Sequence, residues 1–252
     1  MAVSATMHHN GVRVVTMDYP PVNALPVAGW YEVADEMRQA GGDEQTRVVL
    51  LRAEGRGFNA GVDIKEMQRI DGFSGIIGAN RGCYEAFKAI YECPVPVISA
   101  VNGFCLGGGV GLVGNSDVIV ASDDAYFGVP EVDRGALGAA THLSRLVPQH
   151  MLRAMYYTSR TVSAQRLAEF GSVHSVVARA DLDETALALA GEIAAKDPRV
   201  IRAAKEALNG IDTMDVNRSY RFEQGFTFEL NLAGVADEHR DAFVETGGNL
   251  ST

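Results

Sequence analysis

Positive charge is in short supply in this chain. Its 22 Lys and Arg face 32 Asp and Glu, for a formal net charge of −10. A surface of that sign excludes broad contact with nucleic acid or an anionic membrane, both of which need cationic patches. Any phosphate-bearing ligand must then be held by a few local Lys or Arg and by helix N-termini. Cysteine is equally scarce. Cys83, Cys93 and Cys105 are odd in number and lack CxxC spacing, so a disulfide framework is excluded and buried thiols in a cytoplasmic protein are expected. No apolar run reaches the roughly 18 residues that span a bilayer. Residues 1–17 have no basic stretch leading into an apolar one, so no signal peptide is expected. His8, His9, His174 and His239 show no metal-ligand spacing with Cys or carboxylates, and no metal is expected. Repeats of 20–50 residues and low-complexity linkers are also missing.

What remains is an ordinary globular balance, 47% hydrophobic and 21% charged over 252 residues. That is enough for one large domain, or a core with a smaller appendage. Val12–Met17, Arg47–Leu51, Val95–Val101 and Val118–Ala121 are rich in β-branched residues and read as strands. Val27–Gln39 and Asn80–Tyr91 read as helices between them. This alternation predicts an α/β core over residues 1–195 with a largely buried sheet. From Ser163 the pattern turns helical. Ser163 is a candidate N-cap for Ala164–Phe170, with Gly171 as the stop. Leu182–Ala195 and Pro198–Asn209 carry apolar positions at helical spacing, with Pro198 suited to a first turn. Val216–Val244 is helical in pattern with Phe and Leu on more than one face. A tail of that kind docks either on its own core or on another subunit, and residues 196–252 are assigned to a helical oligomerisation region.

Two glycine-rich turns carry the chemistry. Gly109, Gly111 and Gly114 satisfy G-x-G-x-x-G, but too few residues separate them from the next strand for a dinucleotide-binding crossover. The Gly107–Gly109 triplet instead follows a strand and opens a helix. A helix start leaves N–H groups unpaired, and glycine lets another atom come close. Such an N–H suits a developing oxyanion; tight helix–sheet packing explains the same glycines equally well. A second strand–turn–helix, Val48–Met67, offers another set of free N–H groups upstream at Gly57–Gly61. Two such turns at the end of one sheet can aim donors at one oxygen.

Together these segments resemble the crotonase (enoyl-CoA hydratase/isomerase) superfamily. The likeness runs from Pro21–Leu25 through Gly57–Lys65, Val101–Gly109 and Phe127–Glu131 to the helical tail at Phe226–Val244. It implies an α/β spiral of ββα units, a C-terminal trimerisation region, and a homotrimer or dimer of trimers. It implies an acyl-CoA substrate, with no cofactor beyond the CoA that the substrate carries. By position, the resemblance makes the Val62 and Gly108 N–H groups the oxyanion hole. Ala24, Ala60, Asp63, Ile64, Lys65 and Gly107 become the CoA channel. Lys65 reads equally as a solvated lysine, and Asp63 as the cap of the following helix. The basic residue that many relatives carry near the C-terminus is missing from Val244–Gly248.

One departure matters. Hydratases of this family hold water between two glutamates. Glu131 matches one, and Gly111 stands where the other belongs. A general acid–base group contributes about 10²–10⁴-fold, so plain hydration moves to second place. Gly111 is expected to free space for a bulky or cyclic acyl group. A lone carboxylate can activate water against a ketone, and the C–C bond then breaks toward an enolate held by Val62 and Gly108. The wording of Arg52–Asp63, Gly114–Asp117 and Glu131–His142 is similar to an actinobacterial steroid-degradation subgroup. That subgroup opens the five-membered ring of a bicyclic β-diketone, a methyl-dioxo-hexahydroindene, bound as its CoA thioester.

Three readings follow: that C–C hydrolase, an enoyl-CoA hydratase or isomerase of fatty-acid-type metabolism, or a non-catalytic CoA-binding or assembly protein. His142, in the helix-like run Ala136–Val147, is a core histidine or a second catalytic group. Asp133 and Arg134 are solvated or pair to orient the Glu131 loop. Tyr84, Phe87, Tyr91 and Phe104 are core residues or acyl-pocket walls.

Overall fold

The computed structural model describes residues 2–70 and 72–245. The chain enters with β1 (Ala2–Met7) and β2 (Val12–Asp18), then α1 (Val27–Gly42), β3 (Val48–Ala53), α2 (Ile64–Arg69) and α3 (Ser74–Tyr91). It continues with β4 (Val97–Val101), β5 (Phe104–Leu106), α4 (Gly108–Asn115), β6 (Val118–Ser122) and β7 (Tyr126–Gly128). A 3-10 turn at Pro130–Arg134 precedes α5 (Ala140–Leu143), α6 (Gln149–Thr158), β8 (Val162–Ser163), α7 (Ala164–Glu169) and β9 (Ser175–Val177). Four helices close the described chain: α8 (Leu182–Ala194), α9 (Pro198–Gly210), α10 (Val216–Leu232) and α11 (Val235–Glu245).

The main sheet has six strands in the order β1-β2-β3-β4-β6-β9, parallel except for the β1–β2 pair. Each crossover steps one strand outward, which winds the chain as a spiral. β3 and β4 are covered on both faces, which is why Val48–Leu51 and Val97–Val101 are buried at every position rather than alternately. Val49 and Leu51 face the larger core with Trp30, Met37, Phe87, Ile90 and Leu112. Val48 and Leu50 face the smaller one, under Leu182, Ala186 and Ala190 of α8. A second sheet, β5-β7-β8, stands beside the glycine triplet. The four strands expected from the sequence are all present. β1, β5, β7, β8 and β9 were not foreseen, because runs of two or three residues carry no periodicity and β1 is a largely exposed edge.

Two helical expectations need correction. Ala136–Val147 is helical only over Ala140–Leu143, because Ala139 holds φ at 58° and interrupts any continuous helix. The tail is two helices rather than one, broken at Gly234 with φ 78°. It folds back on its own chain: α10 packs on α3 and α5, and α11 on the Pro130–Arg134 turn. Capping follows the sequence closely. The Ser163 hydroxyl accepts from Arg166 N–H, and Asp197 caps α9 ahead of Pro198. The buried ammonium of Lys205 pins α9 to Asp117, which also accepts the Val97 N–H. The cysteines are buried and unpaired. Among the described residues, no helix is long and apolar enough to cross a membrane.

Candidate active site

The turn at 59–63 is built before any ligand arrives. The Asn59 side chain donates to Asn23 O and accepts the Gly61 N–H at 2.8 Å. Leu25 N–H then donates to Gly61 O and Asp63 N–H to Leu25 O, both at 2.9 Å. Bonds on either side of Val62 direct its own N–H away from Leu25. The second turn is fixed by Gly107, whose N–H donates to Gly128 O at 2.9 Å and whose φ is 55°. That conformation, which favours glycine, swings Gly108 into the first turn of α4 with its N–H unspent. Among the described residues, neither the Val62 nor the Gly108 N–H donates to a protein acceptor.

The two turns touch. A Cβ placed on Gly61 would lie 3.3 Å from Gly108 N, and one on Gly108 would lie 3.4 Å from Gly61 Cα and 2.5 Å from Trp30. Neither position has room for a side chain. Asp63 caps α2, accepting from Lys65 N–H at 2.9 Å and Glu66 N–H at 3.3 Å. Ala60, Val62 and Ile64 line the adjoining cavity with Gly107 and Gly108. Ala24 sits beside the Leu25–Val62 bridge, half-buried, and Lys65 is exposed at the surface.

The cavity, about 140 Å³, is walled by Met67, Ile76, Ala79, Cys83, Phe87, Leu137 and Ala139 as well. Glu131 enters from the 3-10 turn, with Pro130 at its first position. Oε1 lies directly over Gly107, where a Cβ would collide with it, and Cγ packs 3.5 Å from the Cβ position of Gly138. Among the described residues, Oε2 is buried with no hydrogen-bond partner. Burial, and then the charge of Glu223, push the Glu131 carboxyl up to about 8, against the pull of its own backbone N–H and Arg134. Among the described residues it is the only carboxylate lining the cavity.

His142 is elsewhere. It stands behind Phe87 and Tyr220, 4.8 Å from each ring centroid. Burial, reinforced by Arg145, drives its imidazole down to about 3. A neutral ring stacked in an aromatic layer, its Nδ1 unpartnered, is the core histidine of the two alternatives. Gly111 also differs from expectation. The space beside it is not open: the Phe87 ring fills it and a Cβ there would strike that ring. The missing side chain therefore makes room for Phe87 rather than for a larger acyl group. Phe87 does wall the cavity, whereas Tyr84 lies under Arg221, Tyr91 bonds to the α9 end, and Phe104 covers Gly57.

Some contributors were weighed for other roles in the sequence, as Arg134 was, and others went unnoticed. Arg134 lines the cavity, half-buried, while Asp133 is exposed. From the C-terminal segment assigned to assembly, Tyr220 and Thr227 complete the wall. Glu223, buried, accepts from Ala140 N–H (2.8 Å), Thr141 N–H (3.0 Å), the Thr141 hydroxyl (2.9 Å) and the Tyr156 hydroxyl (3.2 Å). The signal was present: Tyr220, Glu223, Gln224, Thr227 and Asn231 make a buried polar stripe at helical spacing. The position of the missing C-terminal basic residue falls largely at 246–248, outside the described residues.

Comparison with known proteins agrees with this geometry. The family profile described as Enoyl-CoA hydratase/isomerase matches residues 7–249. A Mycobacterium tuberculosis (strain H37Rv) protein named (7aS)-7a-methyl-1,5-dioxo-2,3,5,6,7,7a-hexahydro-1H-indene-carboxyl-CoA hydrolase is 69% identical over 97% of this chain and 99% of its own. The Rhodococcus jostii (strain RHA1) protein of the same name is 67% identical over 98% and 96%. The crystal structure of an enoyl-CoA hydratase/isomerase from Xanthobacter autotrophicus Py2 superimposes with a TM-score of 0.87 at 29% identity, covering 97% of this chain and 92% of that one.

Proposed function

The chain belongs to the enoyl-CoA hydratase/isomerase family, and from that premise we propose that it hydrolyses a C–C bond, opening one ring of a bicyclic diketone carried as a CoA thioester. The observation that carries this reading is the lone carboxyl of Glu131, its Oε2 unpartnered, set over Gly107 beside two unspent N–H groups. Phe87 fills the place in which a second carboxylate would stand at position 111. One base and two N–H donors suit hydrolysis better than the paired-carboxylate addition of water to an alkene.

The compound in the two relatives' names has ketones at C1 and C5 and a methyl at C7a, and its hydro prefixes leave one double bond, C3a=C4. Glu131 takes a proton from water, and the oxygen adds to C1. When the adduct collapses, C1–C7a breaks. The electron pair passes through C3a=C4 to the C5 oxygen, and a thioester conjugated with that system shares the charge. The Val62 and Gly108 N–H groups receive it at the thioester oxygen. Protonated Glu131 returns the proton to C7a, and C1 leaves as a carboxylic acid.

CoA lies along Ala24, Ala60, Asp63, Ile64, Lys65 and Gly107, and no other cofactor takes part. The enzyme works in the cytoplasm, where three unpaired thiols stay reduced. Residues 196–252 assemble it as a homotrimer or dimer of trimers. Phe222 at 72% exposure, Leu232 at 71% and Ile211 at 73% are the apolar surface for that contact. Sedimentation of the purified protein as a monomer would rule the assembly out.

The test is relative turnover. The bicyclic diketone thioester should be opened at least about 10³-fold faster than crotonyl-CoA is hydrated, the range one acid–base partner supplies. Brisk crotonyl-CoA hydration with an untouched diketone would replace this reading with hydratase activity.

A further inference from the structure

We propose that Asn80 is a substrate-recognition residue: its side-chain amide donates to the oxygen of the ring ketone that water attacks, so the cavity selects an oxygenated acyl group over a hydrocarbon one of the same shape. The inference rests on the hydrolase reading above and extends it from the thioester to the other end of the acyl group.

One face of α3 lines the cavity. Ile76, Ala79, Asn80, Cys83 and Phe87 all contribute to it, and steps of three or four residues set them in a single row along the helix. Four of the five are apolar side chains or a thiol. Asn80 is the exception. Its amide nitrogen is buried and, among the described residues, has no hydrogen-bond partner. A buried donor left unpaired is destabilising, and an oxygen on the acyl group is the acceptor that would satisfy it.

The neighbouring polar groups are otherwise occupied. Among the described residues, the other amide or hydroxyl side chains in the wall are Thr227 and Tyr220. The Thr227 hydroxyl donates to Leu137 O at 2.6 Å and accepts the Leu137 N–H at 3.1 Å. Tyr220 meets the Gln224 amide. Gln224 also donates to the backbone O of Asn80 at 2.7 Å and accepts from Arg221 at 2.6 Å. It therefore pins α3 at this residue without serving the Asn80 side chain. Of the three, only Asn80 has a buried polar atom without a partner.

The chemistry supplies an oxygen for it. The Val62 and Gly108 N–H groups are taken by the thioester, whereas water from Glu131 adds to C1, so C1 and its oxygen lie at the carboxyl. The α3 row runs beside that base: Cys83, one turn from Asn80, has its thiol pushed up by burial and then by the charge of Glu131. As water adds, negative charge gathers on the C1 oxygen, and an amide N–H holds it without giving up a proton. A hydrocarbon group in the same place would strand the amide. A site built to hydrogen-bond an oxygen rejects the analogue lacking it for that reason.

The experiment measures equilibrium binding to the full-length protein by calorimetry, with two saturated bicyclic CoA thioesters. One carries a ketone at C1 and the other a methylene there. Neither has the conjugated system that takes up the electron pair, so neither is opened. The parent should bind the ketone ligand about 10–100-fold more tightly, the range for leaving one buried donor unpaired. Asn80→Leu, close in size but without the donor, should weaken the ketone ligand and bring the two within about threefold. It should also open the diketone thioester about 10²–10³-fold more slowly, as loss of an oxyanion donor does. Equal affinities in the parent overturn the inference. So does unchanged ring opening in the variant, or a variant that weakens both ligands alike and keeps the preference, which would make Asn80 a packing residue. If Asn80→Leu does not fold, Asn80→Ala is read by the same pair of ligands. A parent that prefers the ketone ligand yet leaves the diketone unopened would sink the hydrolase reading instead, because the binding pair is independent of turnover.

Discussion

Glu131 lines the cavity and Glu223 is buried behind the Ala140–Thr141 segment next to it, and the two are wired in opposite ways. Glu223 accepts four hydrogen bonds and fixes Ala140, Thr141 and Tyr156, and Tyr156 in turn accepts the Gly138 N–H at 3.0 Å. Glu131 has one oxygen over a glycine and the other with no partner. The satisfied carboxylate holds shape, and the unsatisfied one is free to exchange a proton. The two are coupled, since the charge of Glu223 helps to push Glu131 up to about 8. A carboxyl that is largely protonated at neutral pH and ionises as pH climbs to about 8 can serve as base and then as acid.

The comparison is broken most directly at Glu131. Glu131→Gln should cost about 10³-fold or more in ring opening while leaving the fold intact. The folded state holds the Glu131 proton more tightly than the unfolded chain does. Its contribution to stability is therefore full below about 4.5 and is lost as pH climbs to about 8. The Gln variant should accordingly melt higher than the parent at pH 9 and show little gain at pH 4. Retained activity, or a lower melting point at pH 9, would break the contrast.

Removing the other carboxylate should hurt stability first. Glu223→Ala leaves the Ala140 and Thr141 N–H groups without their acceptor, a loss of about 2–4 kcal/mol in urea unfolding. Ring opening should fall about tenfold, because the 138–141 segment abuts Glu131, well short of the Glu131→Gln effect. If Glu223→Ala matched Glu131→Gln in activity at unchanged stability, the assignment of roles would be reversed.

The coupling between them is the finer test. Parent kcat/KM should rise about tenfold per pH unit below about 8 and level off above it. Glu223→Gln, with one nearby negative charge fewer, should move that bend to lower pH. Smallest of all is the effect expected from His142→Asn: the bend should stay where it is, because the imidazole lies behind Phe87 and Tyr220 and is held neutral by burial.

Much of this was legible in the residues. The glycines at 57–61 and 107–109, each following a β-branched run, marked both N–H turns, and their order with Glu131 marked the family. Glycine is informative because few other residues fit where two backbones touch, as Gly61 and Gly108 do. Other features could not be read. Gly111 was taken as open space, but whether a missing side chain leaves a void depends on a neighbour far along the chain, and Phe87 fills it. Arg134 read as solvated because the 3-10 turn that aligns it with Glu131 is too short to show a period. The buried polar stripe of α10 was visible as spacing, yet its target, the wall beside Glu131, is a tertiary fact.

Oxygen-18 placement after a single turnover in labelled water tests the central claim most directly. Water activated by Glu131 and directed at a ring ketone predicts one heavy oxygen in a newly formed carboxylic acid, with the thioester unlabelled and CoA still attached. A heavy oxygen found instead in a ring-bound alcohol, or in an acid released along with free CoA, would contradict it.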